Sequence, residues 1–264
     1  MAKDEGGIHR LNAEQKAAAT FEDTPLLIVA GAGTGKTRTL TSRITHLIER
    51  GVAPGKICAL TFTNKAAKEM LDRIEKRTGN YEFGIRDGVG PFIGTFHSLG
   101  ARILRENPEP LGRKRNFVIF DEDDSFRLIK KLVKALGDQN QSAKPAEFRD
   151  KISWIKNGMR PLEAIEGSAK SSDRLFGRLF RAYEEKLAQN NAFDFDDLIE
   201  KVVWLFGARP RVLKEYWRRF SHFLVDEYQD INSVQYDFIR FLAKNGSNLS
   251  VVGDHNQTIY TWRG

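Results

Sequence analysis

Apolar and polar positions form blocks along this chain that predict strands followed by helices. Short apolar runs with many branched residues are typical of strands in a parallel sheet, and they lie at 26–29, 57–62, 91–94, 223–225 and 249–252. After the first three runs, apolar residues recur at helical spacing. This order predicts an α/β fold with a parallel sheet, helices on both faces, and residues 26–29 as a buried strand.

The pattern changes near residue 111, and helical spacing dominates from there to about residue 216. We therefore predict an all-helical subdomain at 111–216, inserted into a sheet domain made of 1–110 and 217–264. Acidic residues at 121–124, and Asp194, Asp196 and Asp197, precede apolar residues at helical spacing. Because acids at a helix start complement the helix dipole, both clusters are predicted to cap helices and not to bind metal.

A glycine-rich turn at residues 30–37 follows the first predicted strand and reads Ala-Gly-Ala-Gly-Thr-Gly-Lys-Thr. It matches G-x-x-x-x-G-K-[ST], except that Ala30 stands at the first glycine. Glycines let backbone N–H groups approach an anion, and the next helix presents its positive end. The alternative is a structural turn before an ordinary helix. The predicted ligand is a nucleoside triphosphate with Mg²⁺, contacted by Ala32, Gly33, Thr34, Gly35, Lys36 and Thr37.

Two acids, Asp226 and Glu227, end the predicted strand at 223–225. In a phosphate-binding α/β fold, one such carboxylate holds Mg²⁺ and the next orients or deprotonates the attacking water. We therefore expect Asp226 to join Thr37 at the metal, and Glu227 to act as the base. We also expect these acids to meet Lys36 across adjacent strand tips. The spacing assigns no role to the neighbouring Gln229 and Asp230.

Polar and aromatic residues follow the predicted strands, where ligands bind in parallel sheets. Aromatic rings stack on bases and polar groups meet phosphates, so these positions suit single-stranded nucleic acid. Phe62 is equally consistent with a core position, and His97 with a hydrogen-bonded structural role. A folded core Trp beside a surface Arg is the alternative at the end of the chain. The candidates are Phe62, Asn64, Thr95, His97, Tyr260, Trp262 and Arg263.

Two glutamines complete the candidate site. Gln15 lies about twenty residues before Lys36, on a helix that Asn12 is predicted to cap. Its amide suits pairing with the adenine edge, although an ordinary surface glutamine is the alternative. Gln257, after the last predicted strand, is placed to sense a γ-phosphate and is a catalytic candidate with Lys36 and Glu227.

Composition narrows the class of protein. The chain has 264 residues, 42 Lys and Arg against 35 Asp and Glu, and a net charge of +7 spread evenly, which agrees with a polyanionic partner. Its one cysteine, Cys58, lies in an apolar run and is predicted to be a buried hydrophobe. Five scattered histidines indicate no zinc site. The sequence has no apolar run of about 18 residues, so we expect no membrane and a cytoplasmic protein.

These motifs, taken together, resemble the N-terminal half of a superfamily 1 DNA helicase of the UvrD/Rep/PcrA type. The order of the motifs is also that of the family, whose phosphate turn shares Ala at position 30. The resemblance implies a P-loop NTPase (RecA-like) sheet domain, with 111–216 as the inserted helical subdomain. The stretches that carry it are 11–15, 30–38, 59–70, 94–104, 193–199, 224–230 and 253–264.

The resemblance also implies functional roles. ATP and Mg²⁺ would be the cofactors, with Gln15 reading adenine, Arg38 packing on its ring, and Gln257 coupling the γ-phosphate to the DNA site. Tyr260 and Trp262 would stack on bases of single-stranded DNA. Junctions of single-stranded and double-stranded DNA would also be bound, with movement in the 3'-5' direction. Repair or replication proteins are further partners that the sequence does not specify.

Three departures from the family pattern stand out. Ile231 occupies a position that is usually Thr, and His255 and Asn256 replace an acidic pair, which changes the surroundings of the metal. The second motor domain, with its arginines for the γ-phosphate, has no counterpart in these 264 residues. Since such arginines are worth about 10³ to 10⁵ in rate, we expect nucleotide binding, slow hydrolysis and no unwinding. The alternatives are a P-loop phosphotransferase and a non-hydrolysing nucleic-acid-binding module.

Overall fold

A computed structural model describes residues 11–22, 25–79, 89–136, 144–158, 171–244 and 248–254. The chain divides into two compact units. The first contains the described residues of Met1–Ser98, Pro210–Ile231 and Ile239–Trp262, and the second those of Leu99–Arg209 and Asn232–Phe238. The second unit overlaps most of the predicted subdomain at 111–216, whose status as a separate domain stays a prediction.

Strands and helices alternate along much of the chain, as the apolar pattern predicts. The strands are β1 (Leu26–Val29), β2 (Ile57–Thr61), β3 (Phe92–Thr95), β4 (Val118–Phe120), β5 (Ala192–Asp194), β6 (His222–Val225) and β7 (Asn248–Gly253). The α-helices are α1 (Ala13–Thr20), α2 (Lys36–Glu49), α3 (Asn64–Thr78), α4 (Phe96–Glu106), α5 (Glu122–Leu136), α6 (Pro145–Lys156), α7 (Ser171–Gln189), α8 (Asp197–Ala208), α9 (Pro210–Arg219) and α10 (Ser233–Ala243).

Five strands of the first unit form one sheet in the order β1-β7-β6-β2-β3, and each neighbouring pair is parallel. The predicted parallel sheet is therefore confirmed. The register places Val29 opposite Gly253 and Thr61 opposite Thr95. Since all five strands run the same way, the residues that follow them emerge at one edge of the sheet.

The inner strands of this sheet are covered on both faces. On one face, Leu40 and Ile44 of α2 and Met70 of α3 pack in a cluster with Ala59 and Leu224. All five residues of β2 are buried, including Cys58, as expected for a strand covered on both sides. The prediction that Cys58 is a buried hydrophobe is confirmed.

Strand β1 does not have the buried environment that its apolar run predicts. Only Ile28 is buried in it, whereas Leu27 is 59% exposed and Val29 is 51% exposed. The physical reason is that β1 lies at the edge of the described sheet and that only one of its faces, the face of Ile28, packs on the core. An apolar run does not distinguish an edge strand from a central one.

The second unit is mostly helical but contains a small parallel sheet, so the prediction of an all-helical region is wrong. Val118 pairs with Ala192 and Phe120 with Asp194 in strands β4 and β5. The aromatic ring of Phe117 meets the ring of Phe193 edge to face at 4.9 Å. Helices α5, α6 and α7 surround a core that includes Ile129, Phe148, Ile152, Phe176, Leu179 and Tyr183.

The two acidic clusters of the second unit have different roles. Asp121 caps α5, because its carboxylate accepts a hydrogen bond from the backbone N–H of Asp124 at 2.8 Å, as predicted. Asp194 lies in strand β5, and its Oδ1 accepts from the N–H of Asp197 at 2.9 Å. Asp196 precedes α8 without a side-chain cap. The capping prediction is therefore incomplete for the second cluster.

A buried lysine explains that second cluster. The Nζ of Lys156 lies 2.7 Å from Asp194, 2.8 Å from Asp197 and 2.6 Å from Glu184. Tyr183 donates its hydroxyl to the same Asp194 carboxylate at 2.9 Å. Burial alone would lower the pKa of Lys156, but these three carboxylates raise it well above its ordinary value. Lys156 is therefore charged and fully compensated.

Candidate nucleotide-binding site

The glycine-rich turn leads directly from β1 into α2. Gly33 and Gly35 have φ values of +71° and +86°, a region that favours glycine. The hydroxyl of Thr34 closes the turn by donating to the carbonyl of Gly31 at 2.7 Å. Lys36 is the first residue of α2, so the first N–H groups of that helix lie at the turn without partners inside the helix. This backbone is suited to an anion.

Ala30 fits the position where the motif has glycine. Its N–H donates to the carbonyl of Gly253 at 3.0 Å, which extends the pairing of β1 with β7 by one residue. Its backbone lies outside the left-handed region, where Gly33 and Gly35 lie. Alanine therefore carries no conformational penalty at this position.

Residues distant in sequence meet at the carboxyl edge of the sheet. The hydroxyl of Thr37 donates to Oδ2 of Asp226 at 3.1 Å. The Nζ of Lys36 lies 3.5 Å from Oε2 of Glu227 and 3.7 Å from Oδ2 of Asp254. The structure thus brings the turn and the acid pair together. The expectation of adjacent strand tips is wrong, however, because β7 lies between β1 and β6.

Strand β7 therefore contributes Asp254 between the two predicted halves of the site. Asp254 follows Gly253, is buried, and faces the ammonium group of Lys36. Asp254 was not among the predicted site residues. Its signal was an acid directly after an apolar strand, the same pattern that identified Asp226.

Asp226 has the environment of a metal ligand. The residue is buried, and burial, followed by the nearby Glu227 charge, raises the pKa of Asp226 to about 6. The Thr37 hydroxyl and the Asp226 carboxylate are oxygen donors of the kind that Mg²⁺ takes, and a divalent cation would offset the repulsion between the two acids. These two residues fit the predicted metal, and their role as ligands stays a prediction.

Glu227 has an unusual backbone. Its φ is +51° and its ψ is +47°, which is uncommon for a residue with a side chain. The N–H of Glu227 donates to Oδ1 of Asp226 at 3.0 Å, and the chain then forms a short 3₁₀ turn at Tyr228–Asp230. Backbone strain of this kind concentrates at functional sites. The left-handed conformation of Glu227 turns the chain sharply after β6, so that the Glu227 side chain remains beside Lys36.

Gln15 contacts the glycine-rich turn. Asn12 and Gln15 form the reciprocal cap of α1, which confirms the predicted capping by Asn12. In addition, Nε2 of Gln15 donates to the carbonyl of Thr34 at 2.7 Å. Oε1 of Gln15 accepts from the N–H of Asn12 at 3.1 Å. A primary amide has two N–H bonds and two lone pairs, so these contacts use one of each, and the pairing of Gln15 with adenine stays a prediction.

A buried arginine fixes the helix that carries Gln15. The Nη1 of Arg43 donates to the carbonyls of Ala18 and Phe21 at 3.2 Å and 2.6 Å, and its Nε donates to Ser250 at 2.8 Å. These bonds connect the end of α1 with α2 and β7. Arg43 was not among the predicted residues, although an arginine at helical spacing from Leu40, on the buried face of α2, is a usable signal.

The candidate nucleic-acid residues that the structure describes follow β2 and β3. Phe62 is half-buried and packs edge to face on Phe96, with ring centroids 6.2 Å apart, and Asn64 is exposed at the start of α3. Thr95 is buried, and its hydroxyl accepts from the N–H of Ser98 at 3.1 Å. Burial lowers the pKa of His97 to about 4, so this histidine is neutral at pH 7.

Four predicted site residues lie outside the described residues: Gln257, Tyr260, Trp262 and Arg263. Arg38 is half-buried in the first turn of α2, directly after the lysine and threonine of the phosphate turn. The roles given to all of these residues stay predictions.

Comparison with known proteins identifies the family. The sequence profile of the UvrD/REP helicase N-terminal domain matches residues 11–264. The chain belongs to this family. The match spans both compact units, and the family accounts for the order of the motifs around the site.

The curated relatives that the chain resembles are named as helicases. The chain is 40% identical over 259 residues to the ATP-dependent DNA helicase PcrA of Staphylococcus aureus strain Mu50, covering 97% of this chain and 35% of the relative. The PcrA of Staphylococcus epidermidis strain RP62A shows the same identity and coverage. The chain therefore spans about a third of the length of these relatives. No helix in the described part of the chain has the length and apolar character needed to cross a bilayer.

Proposed function

We propose that this UvrD/REP family chain is the nucleotide-binding part of an ATP-dependent DNA helicase that moves on single-stranded DNA in the 3'-5' direction. The observation that carries the proposal is the meeting of the phosphate turn with the acid pair. Thr37 lies 3.1 Å from Asp226, and Lys36 lies 3.5 Å from Glu227. Such a pairing is what a P-loop NTPase needs around its triphosphate.

Each residue has a distinct task in this proposal. The backbone N–H groups of the turn and the Lys36 ammonium bind the triphosphate, and Thr37 and Asp226 hold Mg²⁺. When bound, Mg²⁺ neutralises charge on the phosphate oxygens. The Glu227 carboxylate orients the attacking water and accepts its proton. Gln15 pairs with adenine through the N–H and the lone pair that its own contacts leave over.

Lys36 lies between the carboxylates of Glu227 and Asp254. Its Nζ is 3.5 Å from Glu227 and 3.7 Å from Asp254, which is longer than a charge-assisted hydrogen bond. A triphosphate oxygen that approaches to hydrogen-bond distance therefore competes well with both acids. This supports the proposal that Lys36 exchanges its acidic neighbours for the nucleotide.

The proposed DNA track runs along the carboxyl ends of β2 and β3 and on to Tyr260, Trp262 and Arg263. Asn64 is exposed there, and Phe62 is half-buried beside it. The neutral state of His97 means that it serves as a hydrogen-bonding group and not as a cation for phosphate. Junctions of single-stranded and double-stranded DNA, a cytoplasmic location, and repair or replication partners remain expectations from the sequence. The family match does not favour the phosphotransferase alternative.

Nucleotide binding tests the proposal most directly. We expect residues 1–264 to bind a fluorescent ATP analogue in the presence of Mg²⁺, and Lys36→Ala to weaken binding at least about tenfold, because a charged hydrogen-bond donor is lost. The matched control is Lys134→Ala, at an exposed position on α5. Equal affinity of the wild type and Lys36→Ala would contradict the proposal.

Single-strand binding tests the second part. We expect Trp262→Ala to weaken binding of an oligonucleotide about tenfold, since stacking of one base on an aromatic ring is worth about 1–3 kcal/mol. A salt titration of the same binding reports the number of phosphates contacted. Unchanged affinity in Trp262→Ala would remove that residue from the track. We also expect residues 1–264 alone to hydrolyse ATP slowly and not to unwind DNA.

A further inference from the structure

The side chain of Gln229 lies at the centre of the hydrogen bonds around Glu227. Its Nε2 donates to Oε2 of Glu227 at 2.8 Å and to Oδ2 of Asp230 at 3.1 Å. Its Oε1 accepts a hydrogen bond from the backbone N–H of Asp254 at 2.9 Å. Both ends of the amide are therefore engaged, one on the acid side of the site and one at the end of β7.

Gly253 makes this contact possible. A Cβ atom at Gly253 would lie 2.9 Å from Oε1 of Gln229, and also 3.5 Å from the Gln229 backbone nitrogen. Distances below 3.0 Å force atoms to move, and here the nearest atom is the acceptor that meets Asp254. The last residue of β7 thus leaves room for the amide of Gln229, in a position where any larger residue would displace it.

Glu227 needs this support because two groups compete for its carboxylate. Its Oε2 lies 2.8 Å from Nε2 of Gln229 and 3.5 Å from Nζ of Lys36. The Glu227 side chain is also about one-third exposed, so packing alone does not hold it. The closer, directional N–H bond from Gln229 keeps the carboxylate from rotating fully onto the lysine. A base must keep such an orientation to meet its water.

We propose that Gln229 is a positioning residue, which fixes the Glu227 carboxylate for hydrolysis and ties it to the backbone at Asp254. This inference rests on the proposed function of the site. It also connects the base to the backbone at the end of β7 through one side chain.

The main test separates positioning from general support of the fold. Single-turnover hydrolysis and Mg-nucleotide affinity are measured for wild type, Gln229→Met, and the surface control Gln189→Met on α7. Methionine keeps the length of the side chain but removes both hydrogen-bonding ends. We expect Gln229→Met to slow hydrolysis at least about tenfold while affinity stays within about twofold. Unchanged hydrolysis, or equal losses of affinity and rate, would overturn the inference.

Gly253→Ala provides an independent route to the same effect, because its Cβ displaces the Gln229 amide without altering the residue itself. We expect the same slower hydrolysis in this variant. A Gly253→Ala protein that hydrolyses at the wild-type rate would contradict the inference. Thermal unfolding of each variant confirms that the rates refer to folded protein.

A double-variant cycle shows whether Gln229 acts through Glu227. If it does, Gln229→Met added to Glu227→Gln causes no further loss of rate, because the positioned base is already absent. Additive losses would overturn the inference. Hydrogen exchange gives a readout without catalysis, and we expect faster exchange of the Asp254 amide in Gln229→Met. Wild-type protein that fails to bind Mg-nucleotide in a Lys36-dependent way would refute the proposed function itself.

Discussion

Lys36 in the first unit and Lys156 in the second are both buried lysines surrounded by carboxylates, yet their surroundings differ. Lys156 is 2% exposed and has three carboxylate oxygens within 2.6–2.8 Å of its Nζ. Lys36 is 8% exposed, and its two carboxylate neighbours are 3.5 Å and 3.7 Å away. An ammonium group has three N–H donors. The N–H donors of Lys156 all contact carboxylates of the fold. Those of Lys36 have no carboxylate at hydrogen-bond distance and can bind a ligand.

Under the proposed function, the two lysines differ as a structural buried lysine differs from one that binds a ligand. Burial and acidic neighbours are common to both, so neither property decides. The decisive quantity is the distance to the partners, because a saturated charge gains nothing from a new anion. A charge with loose partners gains from exchanging them for phosphate oxygens at hydrogen-bond distance.

The largest expected effect separates the two lysines by stability. Lys156→Met removes the cation that contacts Glu184, Asp194 and Asp197 and leaves Lys201 beside only the first and last of them, at 3.1 Å and 3.6 Å, so we expect the free energy of unfolding to fall by about 3–5 kcal/mol. We expect Lys36→Met to change it by about 1 kcal/mol or less, because ion pairs of 3.5 Å and 3.7 Å recover little more than the cost of burying the lysine charge. Urea denaturation measures both variants. Equal destabilisation by the two substitutions would contradict the structural difference between Lys36 and Lys156.

His97, which is half-buried, shows a third way to accommodate a titratable group away from water, which is to stay neutral. Burial lowers its pKa from 6.5 to about 4, so between these values the unfolded chain binds more protons than the folded one. Stability contributed by this group is present above pH 6.5 and is lost as the pH falls towards 4. We expect a loss on the order of 2–3 kcal/mol over that range.

The measurement is denaturation at a series of pH values for wild type and His97→Gln. The variant lacks the titrating group, so its stability is expected to fall less steeply between pH 6.5 and pH 4. Proton NMR titration gives the pKa of His97 directly. A His97 resonance that titrates near 6.5 would show that burial does not keep this histidine neutral.

The smallest expected effect tests how tightly the cluster around Lys156 is organised. Tyr183→Phe removes a hydroxyl that donates to Asp194 at 2.9 Å, but leaves Lys156 in place. A hydrogen bond to a charged group contributes about 1.5–3 kcal/mol, and the remaining partners of Asp194 reduce the loss, so we expect about 1 kcal/mol. Thermal unfolding measures it. A loss as large as that of Lys156→Met would show that the hydroxyl is as important as the cation.

The fold and half of the site were predictable because their signals are local. The apolar runs predicted the five strands of the parallel sheet, and the glycine-rich turn predicted an anion-binding backbone before α2. The cap at Asn12 followed from residues three apart. Predictions failed where the structure depends on contacts with residues distant in sequence. Strand β1 lies at the edge of the sheet, and the region predicted to be all helical contains β4 and β5.

By itself, the sequence determined which chemical groups the chain carries to the ends of its strands: a glycine-rich turn that ends in Lys36 and Thr37, and an acid pair at Asp226 and Glu227. Only the tertiary structure decided that β7 lies between β1 and β6, and that Asp254 and Gln229 thereby join the site. The physical reason is that spacing along the chain fixes local backbone geometry. Contacts between residues tens or hundreds of positions apart depend on which strands become neighbours.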